Sequence, residues 1–172
     1  LLAFGAKDPV LLAEGQWWRL ITPIFLHGNL LHFAFNNWAL FAIAYQLEAL
    51  LKPLRFLSLY LLAGIAGNIA SSIWTVNLGV GASGALFGLL GCALTFERTI
   101  QNRIHETTGY KPRTGVYTVM VVANILFGFI IPQIDNAAHI GGLSVGVIFA
   151  YSLLRLTPNR LIAPKVGRAR AL

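Results

Sequence analysis

Ser83 sits in the run GVGASGALFGLLG, residues 79–91, and His139 sits in DNAAHIGGLSVG, residues 135–146. A serine hydroxyl becomes a useful nucleophile when a base takes its proton, and an imidazole can do so near neutral pH. If both runs are helical, His139, Gly142 and Gly146 share one face, and Gly84, Gly88 and Gly91 form a similar stripe of small residues. Two such faces allow close helix approach, which would bring the Ser83 hydroxyl within hydrogen-bond reach of the His139 imidazole. Each residue also has a plainer reading alone. Ser83 is then a packing residue or a helix cap, and His139 a buried histidine bonded to a carbonyl.

His32 and Asn36, in HFAFN, are four residues apart and so share a helix face. Acyl transfer builds negative charge on the substrate oxygen, and donors aimed at that oxygen are often the largest catalytic contribution. His32, Asn36 and the Ser83 backbone N–H supply three candidate donors, with interhelical polar bonding as the alternative for the pair. His27, His32 and His139 could instead converge on a metal. No HExxH or carboxylate-rich pattern accompanies them, so neither metal nor cofactor is expected. His105 lies among basic residues and reads as surface. Asp135 is the only carboxylate near His139 and is expected to face water or cap the helix that begins there. A Ser–His dyad is therefore expected rather than a triad. The G-x-S-x-G elbow of soluble hydrolases is absent, since position 85 is Ala and no strand precedes Ser83.

What must position these groups follows from composition. The chain has 172 residues, 56% hydrophobic and only 11% charged, against about 25% charged in a soluble domain. The single Cys92 excludes an intramolecular disulfide and reads as a small core residue. Five apolar segments stand out, at 24–47, 54–76, 82–96, 116–133 and 137–156, to be compared with the roughly 20 residues that span a bilayer. Small residues Ala63, Gly64, Gly67, Ala70 and Ser71 mark a packing side on the second. The expected fold class is all-α, a polytopic membrane helix bundle with five spans. Residues 1–23 form an outer interfacial loop, partly helical and carrying Trp17 and Trp18. Residues 24–156 form the transmembrane core, and residues 157–172 a basic tail.

The formal charge of +7 is a topology signal in this reading. Of the 13 Lys and Arg, all but Lys7 and Arg19 fall after the first, third and fifth segments, hence on one side of an alternating chain. The positive-inside rule makes that side, and the C-terminus, cytoplasmic. No nucleic-acid partner is expected; the partner is the lipid bilayer. One segment is anomalous. Residues 82–96 would rise only about 22 Å as a helix, against a hydrocarbon core of about 30 Å. With Glu97 and Arg98 at the cytoplasmic surface, Ser83 is expected below the outer surface, in a wet pocket that loop 77–81 dips in to meet.

These residues together resemble the rhomboid family of intramembrane serine proteases. The matching motifs are Trp18-Arg19, His27, His32-x-x-x-Asn36, Gly81-x-Ser83-Gly84 and Ala138-His139-x-x-Gly142 followed by Gly146. They occur in family order over nearly the whole chain. The resemblance implies Ser83 as nucleophile, His139 as general base, and His32, Asn36 and the Ser83 amide as oxyanion hole. Gly81 and Ala82 would line the substrate backbone, and His27 the mouth of the site. It further implies cleavage of transmembrane protein substrates near the outer surface, in a bacterial-type inner membrane. Segment 116–133 is the expected gate, interrupted by Asn124 and Gly128 and ended by Pro132. Two departures stand out. The family core has six helices, and this chain, opening on LLAFGAK, begins at the end of the first. Phe87 stands where some members carry a tyrosine that stacks on the histidine. The alternatives are a non-catalytic relative that binds membrane proteins without cutting them, and a transporter, which would show internal repeats that are not found here.

Overall fold

The computed structural model describes residues 1–108 and 115–156. Among them are six α-helices and no strand: α1 (Pro9–Ala13), α2 (Leu30–Leu51), α3 (Pro53–Trp74), α4 (Ser83–Thr108), α5 (Val116–Ile130) and α6 (Asn136–Leu156). Lys111, Arg113 and the basic tail 157–172 lie outside the described residues, as does the side chain of His105.

Local chemistry sets the element ends. Asp8 caps α1 by accepting from the amides of Val10 and Leu11 at 2.8 and 3.1 Å, with Pro9 at the first helical position. Asn29 caps α2 by accepting from the His32 amide at 2.8 Å. A single residue, Lys52, reverses the chain between α2 and α3 at φ +69°, a costly conformation for a residue with a Cβ, and Pro53 then opens α3. Helix α4 is longer than the apolar run 82–96 suggested: it continues through Glu97 and Arg98 to Thr108. The apolar face ends there, but residues such as Glu, Arg and Gln are good helix formers, so the backbone has no reason to stop.

Helix α4 is the axis of the bundle. Residues 84–93 are all buried, and α4 packs against α6 most extensively and then against α3. Cys92 is buried in this core with Leu59, Leu89 and Ala150. The contact between α4 and α6 is backbone against backbone. A Cβ on Gly142 would run into the Gly84 carbonyl oxygen, and one on Gly146 into that of Gly88. On α3, Ala63, Gly64, Gly67 and Ser71 of the expected small-residue side are buried, and Ala70 is half-buried.

Small residues face inward at the helix contacts, and leucines, Ile43 and Phe96 fill the core between them. Tyr45, Trp74 and Leu30 are at least 80% exposed, and Phe41 and Ile73 are exposed too. A surface this apolar is suited to lipid contact. Helices α3 and α6 are each long and apolar enough to cross a bilayer, with a mean hydropathy of 1.6. Helix α5 has no buried residue and runs unbroken, so Asn124 and Gly128 do not interrupt it. Asn124 returns its amide to the Met120 carbonyl at 2.8 Å, and the bare Gly128 makes room for the Asn136 side chain.

The outer segment folds as three 3-10 turns (Leu2–Phe4, Trp17–Leu20, Thr22–Phe25) around α1. Arg19 holds it together, donating to the carbonyls of Leu2 and Ala6 at 2.9 and 2.8 Å and to Gln16 Oε1 at 2.8 Å. Trp17, Trp18 and Phe25 are exposed.

Candidate active site

Ser83 is the first residue of α4 and is partly exposed, whereas the residues that follow it are buried. The chain reaches it through Gly81 at φ +123°, a conformation open to glycine. The Gly81 amide donates to the Pro23 carbonyl at 2.8 Å, and Gly79 pairs with Lys7. Loop 77–81 is thus covered by the outer segment, which satisfies backbone groups that lipid could not.

His139 lies in the first turn of α6 and is 4% exposed. Its ring stacks flat on Phe87, with centroids 4.0 Å apart and planes 8° from parallel. Phe87 is one turn beyond Ser83 on α4. The backbone just before His139 presses on the residue just after Ser83: the Ala138 carbonyl oxygen lies 3.3 Å from where a Gly84 Cβ would be. Ser83 and His139 therefore sit at the same end of the two helices in closest contact. The His139 Nδ1 is buried with no hydrogen-bond partner. Asp135 does not bond to it. Its Oδ1 caps α6 by accepting from the Ala138 amide at 3.0 Å, and its Oδ2 accepts from the Ser71 hydroxyl.

The His32 ring leans over Gly81, where a Cβ would lie 2.7 Å from both Cε1 and Nε2. Only a residue without a side chain leaves room for an imidazole this close to the serine loop. Asn36, on the same face of α2, is buried and donates one Nδ2 hydrogen to the His32 carbonyl at 2.8 Å. Its second amide hydrogen has no such commitment within the helix. His27 meets His32 edge to face at 5.1 Å and Phe33 at 5.3 Å. A cavity of about 350 Å³ opens beside Ala82, His27 and Asn36, walled by Phe33 and Leu40 of α2 and by Phe56 and Tyr60 of α3. It reaches the residue before Ser83, but Ser83 and His139 are not in its wall.

Two features escaped sequence reading. Lys7, a charge of the expected outer loop, is wholly buried. Asn136 reaches back from α6 to donate to the Ile125 carbonyl of α5 at 3.1 Å. The available signal for Lys7 was its position, a basic residue on the side of the chain otherwise nearly free of them.

Comparison with known proteins gives the family of the chain. A family model described as the Rhomboid domain matches residues 14–156. The chain is 43% identical over 167 residues to the rhomboid protease GluP of Bacillus subtilis, covering 97% of this chain and 30% of that protein. It is 36% identical over 168 residues to RHOMBOID-like protein 5 of Arabidopsis thaliana, covering 96% of this chain and 53% of the relative. To the rhomboid protease AarA of Providencia stuartii it is 29% identical over 181 residues, covering 94% and 64% respectively. It thus spans about a third to two thirds of these relatives' lengths. With the family match over most of its length and apolar helices long enough to cross a bilayer, the chain is an integral membrane protein and belongs to the rhomboid family.

Proposed function

We propose that this chain is the core of an intramembrane serine endopeptidase that cuts transmembrane protein substrates with a Ser83–His139 dyad. The observation that carries the reading is the α4–α6 contact. Glycines bring the two backbones together, and the first turns of both helices present a partly exposed hydroxyl and an imidazole held by a stacked ring. The names of the protease relatives support the same class of reaction.

In this reading the His139 imidazole takes the Ser83 proton as Oγ attacks the substrate carbonyl carbon. The oxygen becomes an oxyanion that His32, the free Asn36 hydrogen and the Ser83 amide can bind. Collapse breaks the C–N bond, His139 passes its proton to the leaving amine, and a water then hydrolyses the acyl-enzyme by the same route. The free Nδ1 of His139 supports a dyad, because no carboxylate binds the ring. A helix hides its carbonyls in hydrogen bonds, so the substrate segment must unwind to present one. Gly81 and Ala82 would meet that extended segment, and His27 and the cavity behind Ala82 would take a neighbouring side chain. The positive-inside rule favours a cytoplasmic C-terminus and a site towards the outer face, and the family resemblance favours a bacterial-type inner membrane.

Cleavage of a reporter transmembrane helix tests this. Wild type should cut it, and Ser83→Ala and His139→Ala should each remove essentially all cutting. Cleavage that survives either substitution would refute the dyad, and a folded wild type with no cleavage would point to the non-catalytic binding role.

A further inference from the structure

Lys7 has no solvent-exposed surface. Its ammonium donates to Ser71 Oγ at 2.6 Å and to Thr75 Oγ1 at 3.4 Å, both on α3. Ser71 passes the connection on by donating to Asp135 Oδ2. The other oxygen of that carboxylate holds the Ala138 amide at 3.0 Å, and the Asp135 backbone carbonyl holds the His139 amide at 3.1 Å. The Lys7 backbone pairs in both directions with Gly79, at 2.8 and 3.0 Å, just ahead of Gly81. Its stem covers that glycine, whose Cβ would lie 3.0 Å from Lys7 Cε.

A buried ammonium is costly, and removing its partners costs more. Burial pulls the Lys7 pKa below its ordinary value, although the carboxylates of Asp135 and Asp8 act in the opposite direction. A methionine would fill the same volume without that cost, so the charge needs a reason. Catalysis by Ser71 itself is not the reason, despite the familiar chemistry of a Ser–Lys pair. Ser71 is 1% exposed and its proton is committed to Asp135.

We propose that Lys7 is a positioning residue for both halves of the dyad: through Ser71 and Asp135 it fixes the first turn of α6 that carries His139, and through Gly79 it fixes the loop that delivers Ser83. This rests on the protease reading of the site. The tie joins three segments far apart in sequence, the outer loop, α3 and the start of α6. Neither end touches the reacting atoms. The effect on chemistry is therefore geometric, and displacements of about 1 Å near a reacting pair can cost up to a hundredfold in rate.

The test measures kcat and KM of the intact protein on a reporter transmembrane substrate, normalised to sites titrated with a fluorophosphonate. The variants are Lys7→Met, Asp135→Asn, the two combined, and Ser71→Ala. Titration removes any loss of folded protein from the comparison. Lys7→Met should lower kcat per titrated site by about tenfold or more, with KM within about twofold of wild type. The double variant should be no slower than the slower single, because both substitutions break one chain of contacts. Unchanged kcat per site in Lys7→Met, or losses that multiply in the double variant, would overturn the proposal. If Lys7→Met does not fold, Ser71→Ala decides, since it cuts the relay while keeping the charges: a lowered kcat supports the proposal and an unchanged one overturns it. A wild type that neither labels nor cleaves would instead remove the protease reading on which the proposal stands.

Discussion

Phe87 lies flat against His139, with ring centroids 4.0 Å apart and planes 8° from parallel. The stacking ring comes from the serine's own helix, so one element sets both the position of the hydroxyl and the plane of the imidazole. Offset or parallel aromatic contacts of this kind contribute about 0.5–1.5 kcal/mol beyond the area they bury. The larger consequence is rotational, because the stack resists any tilt of the imidazole out of that plane.

Phe87→Ala should therefore lower kcat by about tenfold to a hundredfold while leaving KM nearly unchanged, as expected when orientation rather than binding is lost. Phe87→Tyr keeps the stack and should stay within about threefold of wild type. Steady-state kinetics on a reporter helix checks both. A kcat unaffected in Phe87→Ala would show that the stack is incidental.

The glycine contact between α4 and α6 makes a sharper structural prediction. Gly146→Ala places a methyl group against the Gly88 carbonyl oxygen, where backbone and not a flexible side chain stands in the way. Overpacking of this kind costs about 1–3 kcal/mol, so thermal unfolding in detergent should shift down and activity should fall with it. An unchanged melting temperature would mean that the two helices are free to separate.

Helix α5 should be the mobile wall. It has no buried residue. Near its start Tyr117 donates to Gln46 of α2 at 3.3 Å, and further along Asn136 of α6 donates to the Ile125 carbonyl at 3.1 Å. A disulfide joining the outer thirds of α2 and α5 should abolish cleavage of a transmembrane reporter and restore it on reduction. The labelling of Ser83 by a small fluorophosphonate should change little. Full cleavage in the cross-linked state would place the entry route elsewhere.

The placement of Ser83 and His139 at one end of two helices joined through glycines was legible because its signal is local: small residues at helical spacing, and polar groups where apolar ones belong. The five long helices followed from hydropathy for the same reason. What stayed hidden depends on tertiary contact. The apolar run ends at Phe96, but hydropathy reports what a helix faces and not where its backbone stops, so the continuation to Thr108 is not legible in it. Asn124 and Gly128 looked like breaks, yet one amide folds back on its own helix and the other position receives Asn136. The burial of Lys7 has no local sign in the sequence, because its partners, Ser71 and Asp135, lie far along the chain.

The central claim concerns the reactivity of one hydroxyl, and covalent labelling reads it directly. Intact protein treated with a fluorophosphonate and analysed by mass spectrometry should carry one adduct, on Ser83, with labelling absent in Ser83→Ala and strongly slowed in His139→Ala. Folded protein that takes no label, or that labels equally well in His139→Ala, would contradict the account.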